Sequence, residues 1–207
     1  VWLDGDDVVA ADGSRCALEL RVPGWFNRSN ATLALVAALV LLGEDGTSVG
    51  SDAARAARTR LAAMDSVEGR FATVARRGHT VRLVLAKNPA GWAAVFDLLE
   101  GASAPGTPVA LSINARTADG LDPSWLWDVP FERLSGRVAV ATGDRRRDLA
   151  VRLRYAEVDH EVVADPLAAL DRTAALLVAG PAPPPPVPEV LFVGNYTAFA
   201  DVRRRLG

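Results

Sequence analysis

From about residue 64 to the end of the chain, short apolar stretches alternate with helix-length segments. Nothing else in the sequence constrains the fold as much. FATVARR and TVRLVLAK form a hairpin-like pair across Gly78-His79. NPAGWAAVFDLLEG then reads as a helix, with Asn88 as its N-cap and Pro89 at the first position, where a missing N–H costs nothing. PVALSIN and RVAVATG read as buried strands, DRRRDLAVRLRYA as a helix capped by Asp144, and HEVVA as a further strand. PLAALDRTAALLVAG is a helix with Pro166 near its start and Gly180 after its end. PEVLFVG is the last strand and TAFADVRRRLG the last helix. Apolar strands separated by helices predict an α/β, Rossmann-like, mostly parallel sheet with helices on both faces. The proline run at 183–186 reads as a stiff surface connector between a helix and a strand.

The upstream part is organised differently. VWLDGDDVVAADG and RCALELRV alternate in β fashion, with turns at 4–7 and at Asp12-Gly13, which predicts short antiparallel strands. After Pro23-Gly24 a helix is expected over residues 28–42 with Asn27 as its N-cap. A second helix follows Ser51, whose hydroxyl can cap SDAARAARTRLAAM. The expected division is therefore 1–63, too small a core for an independent domain and read as the tail of a larger one, and 64–207. The chain starts at Val1 in what reads as the middle of a sheet, so it is expected to be a piece of a longer protein.

Composition removes several functional classes. A net charge of −2 gives no general attraction to nucleic acid. The clusters Arg145-Arg146-Arg147 and Arg203-Arg204-Arg205 fall on helices and read as solvated faces. A single cysteine, Cys16, excludes an internal disulfide framework and a cysteine zinc site, and no metal ligands are assigned. The longest apolar run, 31–43, is too short to span a bilayer, and no signal peptide is evident. These features fit a cytoplasmic protein. His79, in a turn after a glycine, and His160, at the start of a strand, read as structural or exposed.

In open α/β sheets, ligands gather beyond the carboxyl ends of the strands. Here those ends carry Lys87-Asn88, residues 114–128, Gly143-Asp144 and Asn195-Tyr196-Thr197, which a parallel sheet would bring to one edge. Caps and turns explain Asn88, Asp144 and Asn195 equally well. The connection NARTADGLDPSWLWDVPFERL is unusual in length and holds two tryptophans and three aspartates. Such a segment reads as a functional loop. Alternatively, Trp125, Trp127 and Phe131 plug the sheet edge while the acids face water.

ADGLDPSWLWDVPFE resembles the signature of the domain peculiar to the Mur-ligase-like (MurT-type) subunit of bacterial lipid II isoglutaminyl synthase. LAKNPAG, GDRRRDLAVRLRYA and NYTAF resemble the same family in the same order, and the likeness covers essentially the whole chain. PGWFNRSNATLALVAAL resembles the end of the central ATPase domain of Mur ligases, which implies that Asn27 and Asn30 approach the adenine of ATP. An amide can both accept from the adenine amino group and donate to a ring nitrogen. The competing reading makes Asn27 the helix cap and leaves Asn30 on its first turn. DSVEGRFATV resembles the hinge into the last domain, which implies that Arg70 lies near the nucleotide phosphates; a surface arginine is the alternative. Amino-acid-adding Mur ligases carry an aspartate and then Tyr-Ala-His-Asn-Pro where this chain has Val84, Leu85, Ala86, Lys87, Asn88 and Pro89. That departure speaks against an amino-acid-adding ligase. It implies that Lys87 and Asn88 stand on the nucleotide side, Lys87 as a point charge for a phosphate or as the partner of a carboxylate.

The resemblance implies an ATP- and Mg²⁺-dependent, two-subunit amidation at the inner face of the membrane. The α-carboxylate of D-glutamate in the lipid II stem peptide is activated as an acyl phosphate. Ammonia from a partner glutaminase then converts it to D-isoglutamine. The ligase subunit is expected to lend the glutaminase the acidic third member of its catalytic triad, here Asp128, with Asp122 and Asp119 as fallbacks. Trp125 and Trp127 would anchor the interface. The family's phosphate-binding glycine loop does not occur in this sequence, nor does its four-cysteine zinc ribbon. The chain alone is therefore expected to be inactive. The alternatives are an amino-acid-adding Mur-type ligase and a non-catalytic docking module for a glutaminase.

Overall fold

The computed structural model describes residues 1–44, 49–180 and 187–207, so the proline run at 183–186 lies outside the described residues. The chain divides into two compact units, Val1–Asp65 and Ser66–Gly207.

In the first unit, β1 (Trp2–Asp4), β2 (Asp7–Val9) and β3 (Arg15–Ala17) form an antiparallel meander. Leu3 faces Val8, and Val8 faces Cys16. Two helices follow, α1 (Trp25–Leu41) and α2 (Asp52–Ala63). Val8, Cys16, Leu18, Leu35, Leu39 and Ala54 build the core, with Leu35 and Leu39 one helical turn apart. Cys16 is therefore a small core hydrophobe. Ser51 caps α2 as its sequence suggests, accepting from the Ala54 N–H. The start of α1 corrects the expectation of residue 28. Gly24 adopts φ 100°, a conformation natural only to glycine, and turns the chain into a helix already at Trp25. Asn27 thus lies inside the first turn and is not the cap; its side-chain amide donates to Pro23 O at 2.6 Å.

Among its described residues the second unit holds a six-stranded sheet in the order β4-β5-β9-β6-β7-β8. Its strands are β4 (Phe71–Arg76), β5 (His79–Leu85), β6 (Val109–Ser112), β7 (Val138–Thr142), β8 (Asp159–Val162) and β9 (Glu189–Gly194). β4 pairs antiparallel with β5, and all other pairings are parallel. The helices are α3 (Pro89–Ala102), α4 (Arg146–Tyr155), α5 (Pro166–Ala179) and α6 (Tyr196–Leu206). Every residue of β6 is fully buried. Successive strand residues point to opposite faces, so this sheet is covered on both. Leu170, Phe199 and Val202 pack with Val81, Leu83, Val190 and Phe192.

The β4–β5 hairpin shows why His79 is not a turn residue. Arg77 and Gly78 both take positive φ, 42° and 83°, which makes a tight two-residue turn and lets the strands run to its edge. Arg76 therefore pairs with His79, which is buried. Asn88 does cap α3, its Oδ1 accepting from the Gly91 N–H at 2.9 Å. Asp144 does not cap α4. The residue before that helix is Arg145, which makes no side-chain cap, and the Asp144 carboxylate instead accepts from Arg116 Nε at 2.8 Å.

Candidate functional site

Because β5, β9, β6 and β7 run parallel, the segments that follow them leave the sheet at one edge. There Asn114 and Asn195 are locked face to face. Asn195 Oδ1 accepts from the Asn114 N–H at 3.0 Å, and its Nδ2 donates to Asn114 O at 2.6 Å. Asn195 stands at the N-cap position of α6 without capping it. That task falls to Asp119, 78 residues earlier, whose Oδ1 accepts from the Thr197 N–H at 2.9 Å and whose Oδ2 accepts from the Thr197 hydroxyl. Asn114 Oδ1 meanwhile takes the Asp144 N–H at 2.9 Å. Gly143 leaves room for this arrangement. With φ 90°, a Cβ there would lie 2.6 Å from Ile113 O and 2.9 Å from Asn114 Oδ1.

The long connection between β6 and β7 then folds into two short 3₁₀ turns, Ser124–Asp128 and Phe131–Leu134. Asp122 opens the first: its Oδ1 accepts from the Ser124 N–H and its Oδ2 from the Ser124 hydroxyl, each at 2.9 Å. These two donors hold its carboxyl below the usual range. Leu126, Val129, Phe131 and Leu134 are buried. Phe131 closes an aromatic cluster with Trp92 and Phe96 of α3, with ring centroids 5.3 and 5.8 Å away. Burying a side chain of this size contributes about 1.5–3 kcal/mol. The plugging residues are thus Leu126 and Phe131 rather than the tryptophans. Trp125 is half-buried, and Trp127 is 54% exposed, edge-to-face with exposed Tyr155 of α4 at 5.3 Å.

Asp128 ends the first turn beside Trp127 and is exposed. Among the described residues its carboxylate has no hydrogen-bond or ion-pair partner, unlike those of Asp119 and Asp122. Behind it lies a residue that sequence reasoning missed, Arg152 of α4, which is only 5% exposed. It donates through Nε to Leu126 O at 3.2 Å and through Nη2 to Val129 O at 2.7 Å and Glu132 Oε2 at 3.0 Å. The available signal was its position in the helix: Arg152 falls on the buried face with Leu149 and Leu153.

The residues expected at a nucleotide fall in both units. In the first, Asn27 is buried with its amide nitrogen committed to Pro23 O, which leaves Oδ1, while Asn30 is exposed. In the second, Arg70 lies exposed in the turn before β4, and Lys87 is exposed just after β5. Among the described residues neither cation has a partner. Asn88 has spent its carbonyl oxygen on the helix cap and keeps its amide nitrogen. No group of three or more His, Cys, Asp or Glu that could hold a metal occurs among the described residues, and no helix there is long and apolar enough to cross a membrane.

The architecture is that of the Mur ligases and folylpolyglutamate synthases. A Mycobacterium tuberculosis folylpolyglutamate synthase complexed with ADP matches 99% of this chain with 48% of its own, at 20% identity and a TM-score of 0.63. The UDP-N-acetylmuramate-alanine ligase MurC of Thermotoga maritima matches 90% of this chain with 38% of its own, at 16% identity and a TM-score of 0.56. Within that class the chain belongs to the MurT family, its residues 85–199 matching the model of the MurT ligase C-terminal domain. It is 31% identical over 153 residues to the MurT subunit of the glutamine-hydrolysing lipid II isoglutaminyl synthase of Staphylococcus aureus. That match takes in 71% of this chain and 32% of the relative, so the chain spans about a third of the length of the curated relatives it matches.

Proposed function

We propose that this chain is the C-terminal part of the ligase subunit of a two-subunit lipid II isoglutaminyl synthase, and that it offers Asp128 to a partner glutaminase. One observation carries the reading: of the four acids in the long connection, Asp128 alone keeps its carboxylate free and exposed among the described residues, while Asp119, Asp122 and Glu132 are bound into the fold. A carboxylate in that position can accept the ring N–H of a partner histidine, fixing its tautomer and stabilising the imidazolium formed as glutamine is hydrolysed. Exposed Trp127 beside it, and Trp125, suit a protein interface, where aromatic side chains are favoured.

In the whole enzyme, ATP with Mg²⁺ would activate the D-glutamate α-carboxylate of the lipid II stem peptide, and ammonia from the partner would then form the amide. A carboxylate alone is too poor an electrophile for ammonia. The residues of this chain fit the nucleotide in part. Arg70 and Lys87 are free cations for phosphate oxygens, Asn30 has a whole amide to offer, and Asn27 retains only its acceptor. The glycine-loop contribution must come from outside these 207 residues, since the sequence contains no such loop. The chain by itself should therefore hydrolyse no ATP. The enzyme would work in the cytoplasm at the inner membrane face, where lipid II presents its stem peptide.

The decisive experiment is Asp128→Asn in the full-length subunit, assembled with its glutaminase. Glutamine hydrolysis should fall by about 10⁴, the size of loss a triad aspartate shows when neutralised, while the complex still forms. Unchanged hydrolysis by a well-formed complex rules the assignment out.

A further inference from the structure

We propose that Arg152 is the positioning residue for Asp128, an inference that rests on the reading of Asp128 as the acid lent to a partner's histidine. A single 3₁₀ turn has poor hydrogen-bond geometry and does not hold a side chain still by itself. Yet Asp128 sits at the end of one. The guanidinium of Arg152 supplies what the turn lacks. Its donors reach the carbonyls of Leu126 and Val129, which bracket Asp128 in the chain, at 3.2 and 2.7 Å. Glu132 closes the far side through Oε2 at 3.0 Å. The rings of Trp127 and Phe131 lie over the same guanidinium, their centroids 5.7 and 5.5 Å from Cζ. Residues 126, 127, 129, 131 and 132 therefore all meet one buried cation, and residue 128 is left pointing to solvent.

The choice of arginine has a physical reason. Only a planar fork can serve two carbonyls and a carboxylate in its plane while aromatic rings cover its faces; an ammonium cannot do both. Arg137 provides an internal comparison. It too is buried and donates to Leu99 O and Thr107 O, but the exposed acid between those acceptors, Glu100, is ion-paired to Arg133 at 2.7 Å. Burial with satisfied carbonyls is therefore not sufficient to make a positioning residue. A bracketed acid left without a partner among the described residues is what sets Arg152 apart.

The test uses the full-length ligase subunit in complex with its glutaminase. Arg152→Met should lower kcat for glutamine hydrolysis by about 100-fold, the penalty of a misplacement near 1 Å. KM for glutamine should stay the same, and kcat is read with the partner saturating, so that any loosening of Trp127 at the interface does not enter it. Amide exchange should rise in residues 124–132 and nowhere else. Arg152→Lys keeps the charge without the fork, so it should restore kcat only in part, leaving a loss of about tenfold; if the Met variant fails to fold, the Lys variant carries the test. In an Asp128→Asn background, Arg152→Met should cost nothing further, because the two act as one unit. An equal loss in both backgrounds, or an unchanged kcat in Arg152→Met and Arg152→Lys, overturns the proposal. A harmless Asp128→Asn overturns the underlying reading instead, so the two failures are told apart.

Discussion

The two halves of the connection between β6 and β7 are held by different chemistry. Residues 114–122 are fastened by polar bonds: Asn114 to Asn195, Asp119 to the first turn of α6, Asp122 to Ser124. Residues 124–134 are fastened from beneath, by buried Leu126, Phe131 and Leu134 and by the Arg152 fork. The polar tether consumes both acids of the first half, whereas the apolar and cationic foundation takes up Glu132 but leaves Asp128 free among the described residues. The second half is thus the one able to present a carboxylate to another protein, and the first half supplies rigidity at the cost of its own acids.

This contrast can be broken or sharpened by mutation. Asp128→Asn should give the largest effect, about four orders of magnitude in glutamine hydrolysis by the complex, with the melting temperature of the subunit unmoved. Phe131→Ala removes the foundation of the second half. It should destabilise the domain by about 3–5 kcal/mol in a denaturant titration. Asp119→Asn should invert the pattern of Asp128→Asn, costing about 1.5–3 kcal/mol of stability through its charged hydrogen bonds and leaving hydrolysis largely intact. If Asp119→Asn proves the catalytic lesion and Asp128→Asn the structural one, the assignment of the two halves is reversed. Trp127→Ala should weaken the subunit's affinity for its partner by about 2 kcal/mol, roughly thirtyfold in Kd, without a change in melting temperature. Titration calorimetry would show it.

The smallest effect lies far from the connection, at His79. Burial pushes its pKa below the ordinary 6.5, although Asp171 pulls it up; Arg76 adds to the lowering. The folded state thus favours the neutral ring. Its contribution to stability is complete above pH 6.5 and shrinks as the pH falls through that value towards the lowered one. Replacing His79 with Gln should flatten this decline in a melting-temperature series between about pH 7.5 and 5.5, and an undiminished decline would assign it to other groups.

Much of this fold could be read from local signals, because local physics produced them. Ser51 and Asn88 cap the helices their sequences predicted, since a cap needs only a side-chain oxygen within three residues of a free N–H. Asn27 and Asp144 carry the same signal, but neither caps. Gly24 starts α1 earlier than Asn27 could, and Arg116 draws the Asp144 carboxylate away from α4. Both outcomes turn on a competitor that a residue's near neighbours do not reveal.

The sequence by itself determined the alternation of strand and helix, the family likeness and the loop in which the uncommitted acid would be found. Apolar periodicity and turn chemistry act over a few residues, so they are written in order along the chain. Asp122 is bound locally, by Ser124 two residues on, but only the tertiary structure decided the fate of Asp119 and the surroundings of Asp128. Asp119 is spent on Thr197 and Asn114 on Asn195, about eighty residues away in each case. Arg152, 24 residues after Asp128, becomes its support only once α4 packs under the turn. Such pairings depend on the order of strands in the sheet, which no local pattern encodes.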